Sequence, residues 1–236
     1  MIYKRKIPSL LCCYFLIISL FLGGILFGNH AITVVAQQRP IVRKYTVVID
    51  AGHGGIDGGA TSCTGQLESQ INLDIALRLE DLLHLMGYDT VMIRRTDTSI
   101  HTQGNSIAQQ KISDLKERVH IVNATENSIL ISIHQNFFAD SRYSGAQVFY
   151  APTAGSEDLA ARMQSTMVSA LNPGSRRQHK RGEGIYLMEH ISCTGILVEC
   201  GFLSHPEEEA KLRSPEYQKK LCSSIAATLS QYLSNT

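Results

Sequence analysis

Four side chains near the ends of predicted strands and the start of a predicted helix could form one catalytic centre. His53 follows the apolar strand YTVVID by a few residues, His134 ends the strand ILISI, and Glu199 ends the strand GILVE. Glu68 lies at the start of the first predicted helix, where the helix dipole favours a carboxylate. Because sites in open α/β sheets form outside the carboxyl ends of the strands, these side chains can converge at one edge of the sheet.

Two histidines and one glutamate make up the protein ligands of a catalytic zinc site, which keeps a fourth position open for water. We expect His53, Glu68 and His134 to be the metal ligands and Glu199 to be the base that takes a proton from the water. The chain contains nine histidines, so two of them near strand ends also fit ordinary surface or core positions. The sequence has no HExxH, G-x-S-x-G or G-x-x-x-x-G-K-[ST] motif.

The elements that must position these residues alternate between strands and helices. The predicted strands are short, continuously apolar runs, which are typical of a largely parallel or mixed sheet covered on both faces. The sequence therefore predicts a single α/β domain with a central, mostly parallel or mixed sheet flanked by helices. Strands are predicted at residues 45–50, 88–93, 129–133, 145–150 and 195–199, and helices at residues 69–86, 113–124, 156–171 and 215–233. Residues 96–111 are predicted to be a surface loop, with Ser113 as the cap of the second helix.

The composition is that of an ordinary globular protein. Hydrophobic residues make up 44% and charged residues 18% of the 236 residues, which excludes a mainly disordered chain. The 22 Lys and Arg residues nearly balance the 21 Asp and Glu residues, for a net charge of +1. This balance gives no reason to expect a nucleic-acid partner.

The N-terminus carries a basic start followed by an apolar run. Lys4, Arg5 and Lys6 precede residues 7–38, which contain no Lys, Arg, Asp or Glu. This pattern predicts export, either by a signal peptide cleaved after Ala36 or by a retained membrane anchor through residues 7–28. We therefore expect a signal peptide or anchor at residues 1–36, a linker at residues 37–44 and a catalytic domain at residues 45–236.

Five ordered motifs resemble those of the zinc-dependent N-acetylmuramoyl-L-alanine amidases of bacterial cell walls. They are VVIDAGHGGIDGGA (47–60), RRTD (94–97), LKERVHIVN (115–123), SIHQN (132–136) and ILVECGFLSHPEEEAKL (196–212). The resemblance implies that His53, Glu68 and His134 bind Zn2+ and that Glu199 is the catalytic carboxylate. It also implies a single α/β domain that hydrolyses the amide joining N-acetylmuramic acid to L-alanine in peptidoglycan.

The apolar N-terminal segment and the sequence IYLMEHISCTGILVECGFLSHPEE (185–208) further resemble the germination-specific, CwlD-type amidases of spore-forming Firmicutes. This resemblance implies action on spore cortex, at the outer face of the membrane or in the intermembrane space of the forespore, as a step towards muramic-δ-lactam and germination. It also implies a possible accessory lipoprotein partner. A vegetative autolysin, a zinc peptidase and a catalytically silent domain that binds wall or a partner remain alternatives.

Several polar residues around the motifs have open roles. Asp50 could orient a ligand histidine through its ring N–H, or it could have a partner on a helix or in a turn. Arg94, Arg95 and Arg118 could contact peptide carboxylates, although at least one is expected in a structural salt bridge. Gln135 stands where many relatives have a small residue, and strand alternation predicts that its side chain points away from the metal.

Overall fold

A six-stranded mixed sheet forms the centre of the computed structural model, which describes residues 45–235. The strands are β1 (Thr46–Ala51), β2 (Asp89–Met92), β3 (Ser128–Asn136), β4 (Gln147–Tyr150), β5 (Lys180–Arg181) and β6 (Thr194–Phe202), in the order β2-β1-β3-β6-β4-β5. Strands β2, β1, β3 and β6 are parallel to one another, β4 is antiparallel to β6, and β5 is parallel to β4. The predicted mixed α/β sheet is therefore confirmed.

Helices cover both faces of the sheet. They are α1 (Glu68–Leu85), α2 (Ile107–Ala124), α3 (Ser156–Leu171), α4 (Tyr186–His190), α5 (Pro206–Leu212) and α6 (Pro215–Ser234). Because successive strand residues point to opposite faces, Val47 and Ile49 of β1 pack in the core beneath α1, α3 and α6. Val48 packs in a second core beneath α2 and α4. The continuous apolar run of β1 thus fills both cores.

Helix α2 begins earlier than the sequence predicts. Ser106 is its cap and accepts a hydrogen bond from the backbone N–H of Gln109, whereas Ser113 lies inside the helix. The Ser113 hydroxyl instead accepts hydrogen bonds from the backbone N–H groups of Thr102 and Gln103. The sequence predicts a loop for the first turns of α2 because this stretch is polar and lacks an apolar stripe. In the structure its Ile107 is indeed exposed.

The strands that carry the candidate residues also run further than predicted. His134 and Glu199 lie within β3 and β6 rather than at their ends. Strand β5 and the short helices α4 and α5 were not predicted at all. No helix within residues 45–235 is long and apolar enough to cross a bilayer. The predicted signal or anchor at residues 1–36 lies outside the described residues.

A buried ion-pair network joins α2 to the carboxyl end of β1. The Arg118 side chain is 2% exposed and pairs with Asp50 of β1 and with Asp114. Its guanidinium also donates hydrogen bonds to the carbonyl oxygens of Ala51 and His53. The network therefore fixes the chain at the point where β1 passes into the loop that carries His53.

Replacing Arg118 with Leu is expected to lower the free energy of unfolding by about 3–5 kcal/mol, because Asp50 would stay buried without its partner. Urea unfolding followed by circular dichroism measures this loss. The control is Arg162→Leu, which removes an exposed pair with Asp158 and should cost no more than about 1 kcal/mol. Equal losses in the two variants would contradict a structural role for the buried network.

Candidate metal centre

A glycine-rich loop after β1 holds His53 in position. His53 has a φ of 61°, in the left-handed region that residues other than glycine rarely adopt. Reciprocal backbone hydrogen bonds of 2.8 and 3.2 Å between Gly54 and Asp57 fold the loop back on itself. As a result, His53 Nδ1 lies 2.8 Å from Asp57 Oδ2. Asp57 therefore fixes the orientation of the ring and leaves Nε2 to face the centre.

Glu68, the first residue of α1, is 3% exposed and is held from several sides. Its Oε2 accepts a hydrogen bond of 3.0 Å from the backbone N–H of Ala60. Its Oε1 accepts hydrogen bonds from the backbone N–H of Gln135 at 3.1 Å and from Asn72 Nδ2 at 3.2 Å. The carboxylate therefore has one defined position.

The structure brings the three predicted metal ligands together. His53 Nε2 lies 3.3 Å from Glu68 Oε2, and His134 Nδ1 lies 3.0 Å from Glu68 Oε1. The two imidazole rings meet edge to face with their centroids 4.9 Å apart. One ligand atom from each of the three residues lies within 4.8 Å of the others.

Glu199 stands next to this cluster on the neighbouring strand. It pairs with His134 in the register of β6 and β3, so both residues lie at the same level of the sheet. Its Oε2 is buried and has no hydrogen-bond partner among residues 45–235. Burial raises the pKa of Glu199 to about 7. A carboxyl group with a pKa near neutrality can take up and release a proton during one reaction cycle.

The carboxylates of the cluster favour positive charge at the imidazoles, either a proton or a metal ion that displaces the proton. Burial opposes protonation of His53, but hydrogen bonds to Asp57 and Glu68 raise its pKa to about 9. Burial also acts to raise the pKa of Glu68, but hydrogen bonds to His134 and His53 lower it far below its usual range. Glu68 is therefore ionised, and its negative charge attracts a cation between its carboxylate and the two imidazoles.

The donor set fits zinc. Two imidazoles and one carboxylate are a known combination of ligands for catalytic Zn2+. The unpartnered Oε2 of Glu199 beside them supplies an acceptor for a water proton. Asp57 makes a hydrogen bond to His53, and Asn72 donates one to Glu68. Such hydrogen bonds commonly orient metal ligands in proteins.

Two glycines allow the loop to pass close to the ligands. A Cβ atom at Gly52 would lie 2.1 Å from His134 Nε2. A Cβ atom at Gly59, which has a φ of 69°, would lie 2.6 Å from Glu68 Oε2 and 2.7 Å from His53 Cδ2. Side chains at these two positions would displace the ligands themselves.

The Gly52→Ala substitution is expected to weaken zinc binding about 10–100-fold, because its methyl group pushes the His134 ring aside. Competition with a chromophoric chelator measures the affinity. The control is Gly174→Ala, where a Cβ meets no atom of residues 45–235 within 4 Å and the positive φ costs stability only. Wild-type zinc affinity in Gly52→Ala would show that the ring of His134 does not set metal binding.

The side chains of two neighbouring residues contact other parts of the fold rather than the three metal ligands. Asp50 does not orient a histidine but pairs with Arg118 and accepts a hydrogen bond from Ser132. Gln135 points away from the three ligands, as strand alternation predicts, yet it donates a hydrogen bond to Asn72. It therefore supports Glu68 through one intermediate side chain.

The arginines predicted to contact peptide carboxylates make hydrogen bonds or ion pairs within the fold. Arg94 is 3% exposed and donates to the carbonyl oxygens of Ala51, Gly52, Ser69 and Thr96. Arg95 pairs with Glu80, and Arg118 belongs to the buried network with Asp50. Arg94 and Arg118 are therefore structural, whereas the side chain of Arg95 is 61% exposed beside Glu80.

Sequence reasoning missed Asp57, Asn72 and Lys111. Asp57 could have been found from its position four residues after His53 in a glycine-rich loop. Asn72 lies one helical turn after Glu68, a spacing that allows contact between the two side chains. Lys111 Nζ lies 2.7 Å from Asp57 Oδ1, a contact between distant parts of the chain that no local pattern predicts.

Comparison with known proteins identifies the family to which this chain belongs. The family model described as N-acetylmuramoyl-L-alanine amidase matches residues 47–231. The germination-specific N-acetylmuramoyl-L-alanine amidase of Bacillus subtilis (strain 168) is 36% identical over 97% of this chain and 96% of its own length. The amidase LytC of the same organism is 31% identical over 85% of this chain, which spans 38% of LytC.

Solved structures show the same relationship. The CwlD amidase from Clostridioides difficile, in complex with the GerS lipoprotein, is 33% identical with a TM-score of 0.77. That match covers 81% of this chain and 99% of the CwlD chain. An N-acetylmuramoyl-L-alanine amidase from Clostridium difficile 630 matches with a TM-score of 0.71 at 32% identity, over 82% of this chain and 99% of its own. The chain therefore belongs to the N-acetylmuramoyl-L-alanine amidase family and is an amidase of peptidoglycan.

Proposed function

We propose that this chain is a zinc-dependent amidase of the spore cortex, with His53, Glu68 and His134 as metal ligands and Glu199 as the catalytic carboxylate. The observation that carries the proposal is the cluster of three ligand atoms within 4.8 Å beside the unpartnered Oε2 of Glu199. A domain that only binds wall would have no use for a carboxylate whose buried Oε2 is kept without a partner among residues 45–235.

The side chains divide the work of amide hydrolysis between them. Bound zinc supplies a Lewis acid that polarises the scissile carbonyl and lowers the pKa of a water molecule. Glu199 takes one proton from the attacking water at Oε2 and passes it to the leaving nitrogen. The water oxygen forms a bond to the lactyl carbonyl carbon while the carbon–nitrogen bond breaks. The products are N-acetylmuramic acid and a stem peptide with a free L-alanine amine, and the second water proton is released when the new carboxyl group ionises.

The proposal of a cortex substrate is supported by the extent of the similarity. The relative described as germination-specific matches almost the full length of both chains, whereas this chain spans 38% of LytC. Removal of stem peptides would leave muramic acid residues free for muramic-δ-lactam formation. We propose that the enzyme acts outside the cytoplasmic membrane, and that the division into residues 1–36, 37–44 and 45–236 serves this export.

An accessory lipoprotein is the proposed protein partner. The support is that the CwlD relative was solved in complex with the GerS lipoprotein. A lipoprotein would hold the enzyme at the membrane surface, whether or not residues 7–28 are retained as an anchor.

The spore-cortex role predicts a defined defect in cells. Spores of the producing organism that lack this chain should contain cortex without muramic-δ-lactam, because the stem peptides stay attached. Muropeptide analysis of purified spores measures this, with complementation by wild-type chain and by Glu199→Gln. Restoration by the wild type alone supports the proposal. Normal lactam in the deleted strain, together with a defect in vegetative wall turnover, would assign the enzyme to the vegetative cell instead.

A further inference from the structure

A small cavity opens beside the metal ligands on the face of the sheet that α2 and α4 cover. Its volume is about 260 Å³, and both His53 and His134 line it. This volume lies below the roughly 300–1,000 Å³ of pockets that hold drug-sized molecules. The cavity therefore has room for a short segment next to the scissile bond rather than for a polymer strand.

Part of the wall of this cavity, between α2 and the start of α4, is apolar. Leu115 comes from α2, Leu187 from α4, and Ile185 from the residue just before α4. Such a surface suits a small methyl-bearing side chain such as that of L-alanine.

Two permanent cations line the cavity within the described residues, and they differ in availability. Arg118 is 2% exposed and is engaged with Asp50, Asp114 and backbone carbonyls. The Lys111 side chain is 46% exposed, and its ammonium group makes one ion pair, to Asp57. Since an ammonium group has three donors, Lys111 has donors left for a ligand.

Lys111 lies close to the proposed metal ligands, and therefore to the place of the scissile amide. Its Nζ lies 2.7 Å from Asp57 Oδ1, and Asp57 Oδ2 lies 2.8 Å from His53 Nδ1. The ammonium group is thus two hydrogen bonds away from a proposed metal ligand. Two extended residues span at most about 7 Å, a length that suits a chain running from the metal towards Lys111.

Charge decides which part of the substrate points towards Lys111. The glycan strand is uncharged while the lactyl carboxyl group is tied up in the amide. The stem peptide carries carboxylates, and the first free one after L-alanine is the α-carboxylate of the second residue, a D-glutamate linked onward through its side chain. Carboxylates also line the cavity, but Asp50 and Asp114 pair with Arg118. The exposed ammonium group of Lys111 is therefore the charge that favours the peptide side.

We propose that this cavity holds the start of the stem peptide, with the L-alanine methyl group against Leu115, Ile185 and Leu187, and that Lys111 binds the free α-carboxylate of the residue that follows. Lys111 is then a specificity-determining residue. The inference rests on the proposed metal centre, because it takes His53 and His134 as the place of the scissile amide.

The test compares two dipeptides that differ only in the proposed contact. L-alanyl-D-glutamine keeps the α-carboxylate and mimics the onward link with its side-chain amide, whereas its α-carboxamide lacks the charge. Calorimetry on the zinc-loaded full-length chain measures both affinities. The ratio of kcat/KM for the two N-acetylmuramoyl dipeptides gives a second reading. We expect the wild type to prefer the carboxylate about tenfold, as one charge-assisted hydrogen bond at a partly exposed site would give.

Variants on α2 separate a direct contact from an indirect one. Lys111→Met should reduce the preference to about one, and Lys111→Arg should keep most of it. Lys116→Met, an exposed lysine on the same helix that lines another groove, should keep all of it. If Lys111 acted only through Asp57, Lys111→Met would weaken both dipeptides equally and the ratio would stay unchanged.

The outcomes of this test are distinguishable from those for the function itself. A preference near one in the wild type, or an unchanged preference in Lys111→Met, would overturn the role of Lys111 even if peptidoglycan is hydrolysed. Loss of the preference in Lys111→Met would support it. Absence of peptidoglycan hydrolysis by the same wild-type sample would count against the proposed function and not against the binding result.

Discussion

Replacing Glu199 with Gln should reduce amidase activity by about 10²–10⁴-fold while zinc content stays at the wild-type level. The amide keeps the shape of the side chain but cannot take a proton from water. Glu199 stands beside the three ligands without being one of them in our account, so the metal should remain bound. Dye-release assays, or assays of newly exposed L-alanine amino groups on peptidoglycan, measure activity, and atomic absorption measures zinc.

The free energy of unfolding of the Glu199→Gln variant is a second measurable quantity. In the wild type, the buried Oε2 of Glu199 has no hydrogen-bond partner in the described part of the chain, and burial raises its pKa. A neutral amide removes the cost of burying a charge there, so the free energy of unfolding should not fall. The control is Glu207→Gln, an exposed carboxylate on α5 that should leave activity unchanged. Zinc loss in Glu199→Gln would show that Glu199 is itself a ligand.

Replacing His134 with Ala should weaken zinc binding at least about 100-fold, since each protein ligand contributes on the order of 3 kcal/mol in small zinc sites. Activity should be lost at ordinary zinc concentrations for the same reason. Chelator competition measures the affinity. The control is His120→Ala, an exposed histidine on α2. Wild-type zinc affinity in His134→Ala would remove His134 from the ligand set.

These two variants separate the metal from the base. Glu199→Gln should lose activity and keep zinc, whereas His134→Ala should lose both. If the variants behaved alike in both measurements, the division of roles between β3 and β6 would be wrong.

The fold could be predicted wherever apolar burial is continuous. Strand β1 fills both cores, so its apolar run is unbroken, and helix α3 has an apolar face and an Asn-Pro-Gly stop. The start of α2 and the short helices α4 and α5 could not be predicted in this way. Residues 107–112 of α2 are largely exposed, and α4 and α5 are only 5 and 7 residues long, too short to show a period.

The candidate site was predictable to the extent that its residues sit on regular elements. His134 and Glu199 share a level of the sheet because their strands are parallel neighbours, and Glu68 begins the helix that follows β1. Asp57 and Lys111 depend on a folded-back loop and on a contact across 54 residues, so only the tertiary structure reveals them. Two roles were open for Asp50, a histidine contact or a helix or turn partner, and the structure shows the helix partner, Arg118 of α2.

The most direct test of the zinc amidase account is the mass of the products released from cortex peptidoglycan by the full-length chain. The digest is run with zinc, with zinc removed by chelation and then restored, and with Glu199→Gln. The account predicts free stem peptides with L-alanine at their amino end and glycan strands with unsubstituted N-acetylmuramic acid, formed only by the zinc-loaded wild type. Cleavage between amino acids of the stem, or equal product from the Glu199→Gln variant, would contradict it.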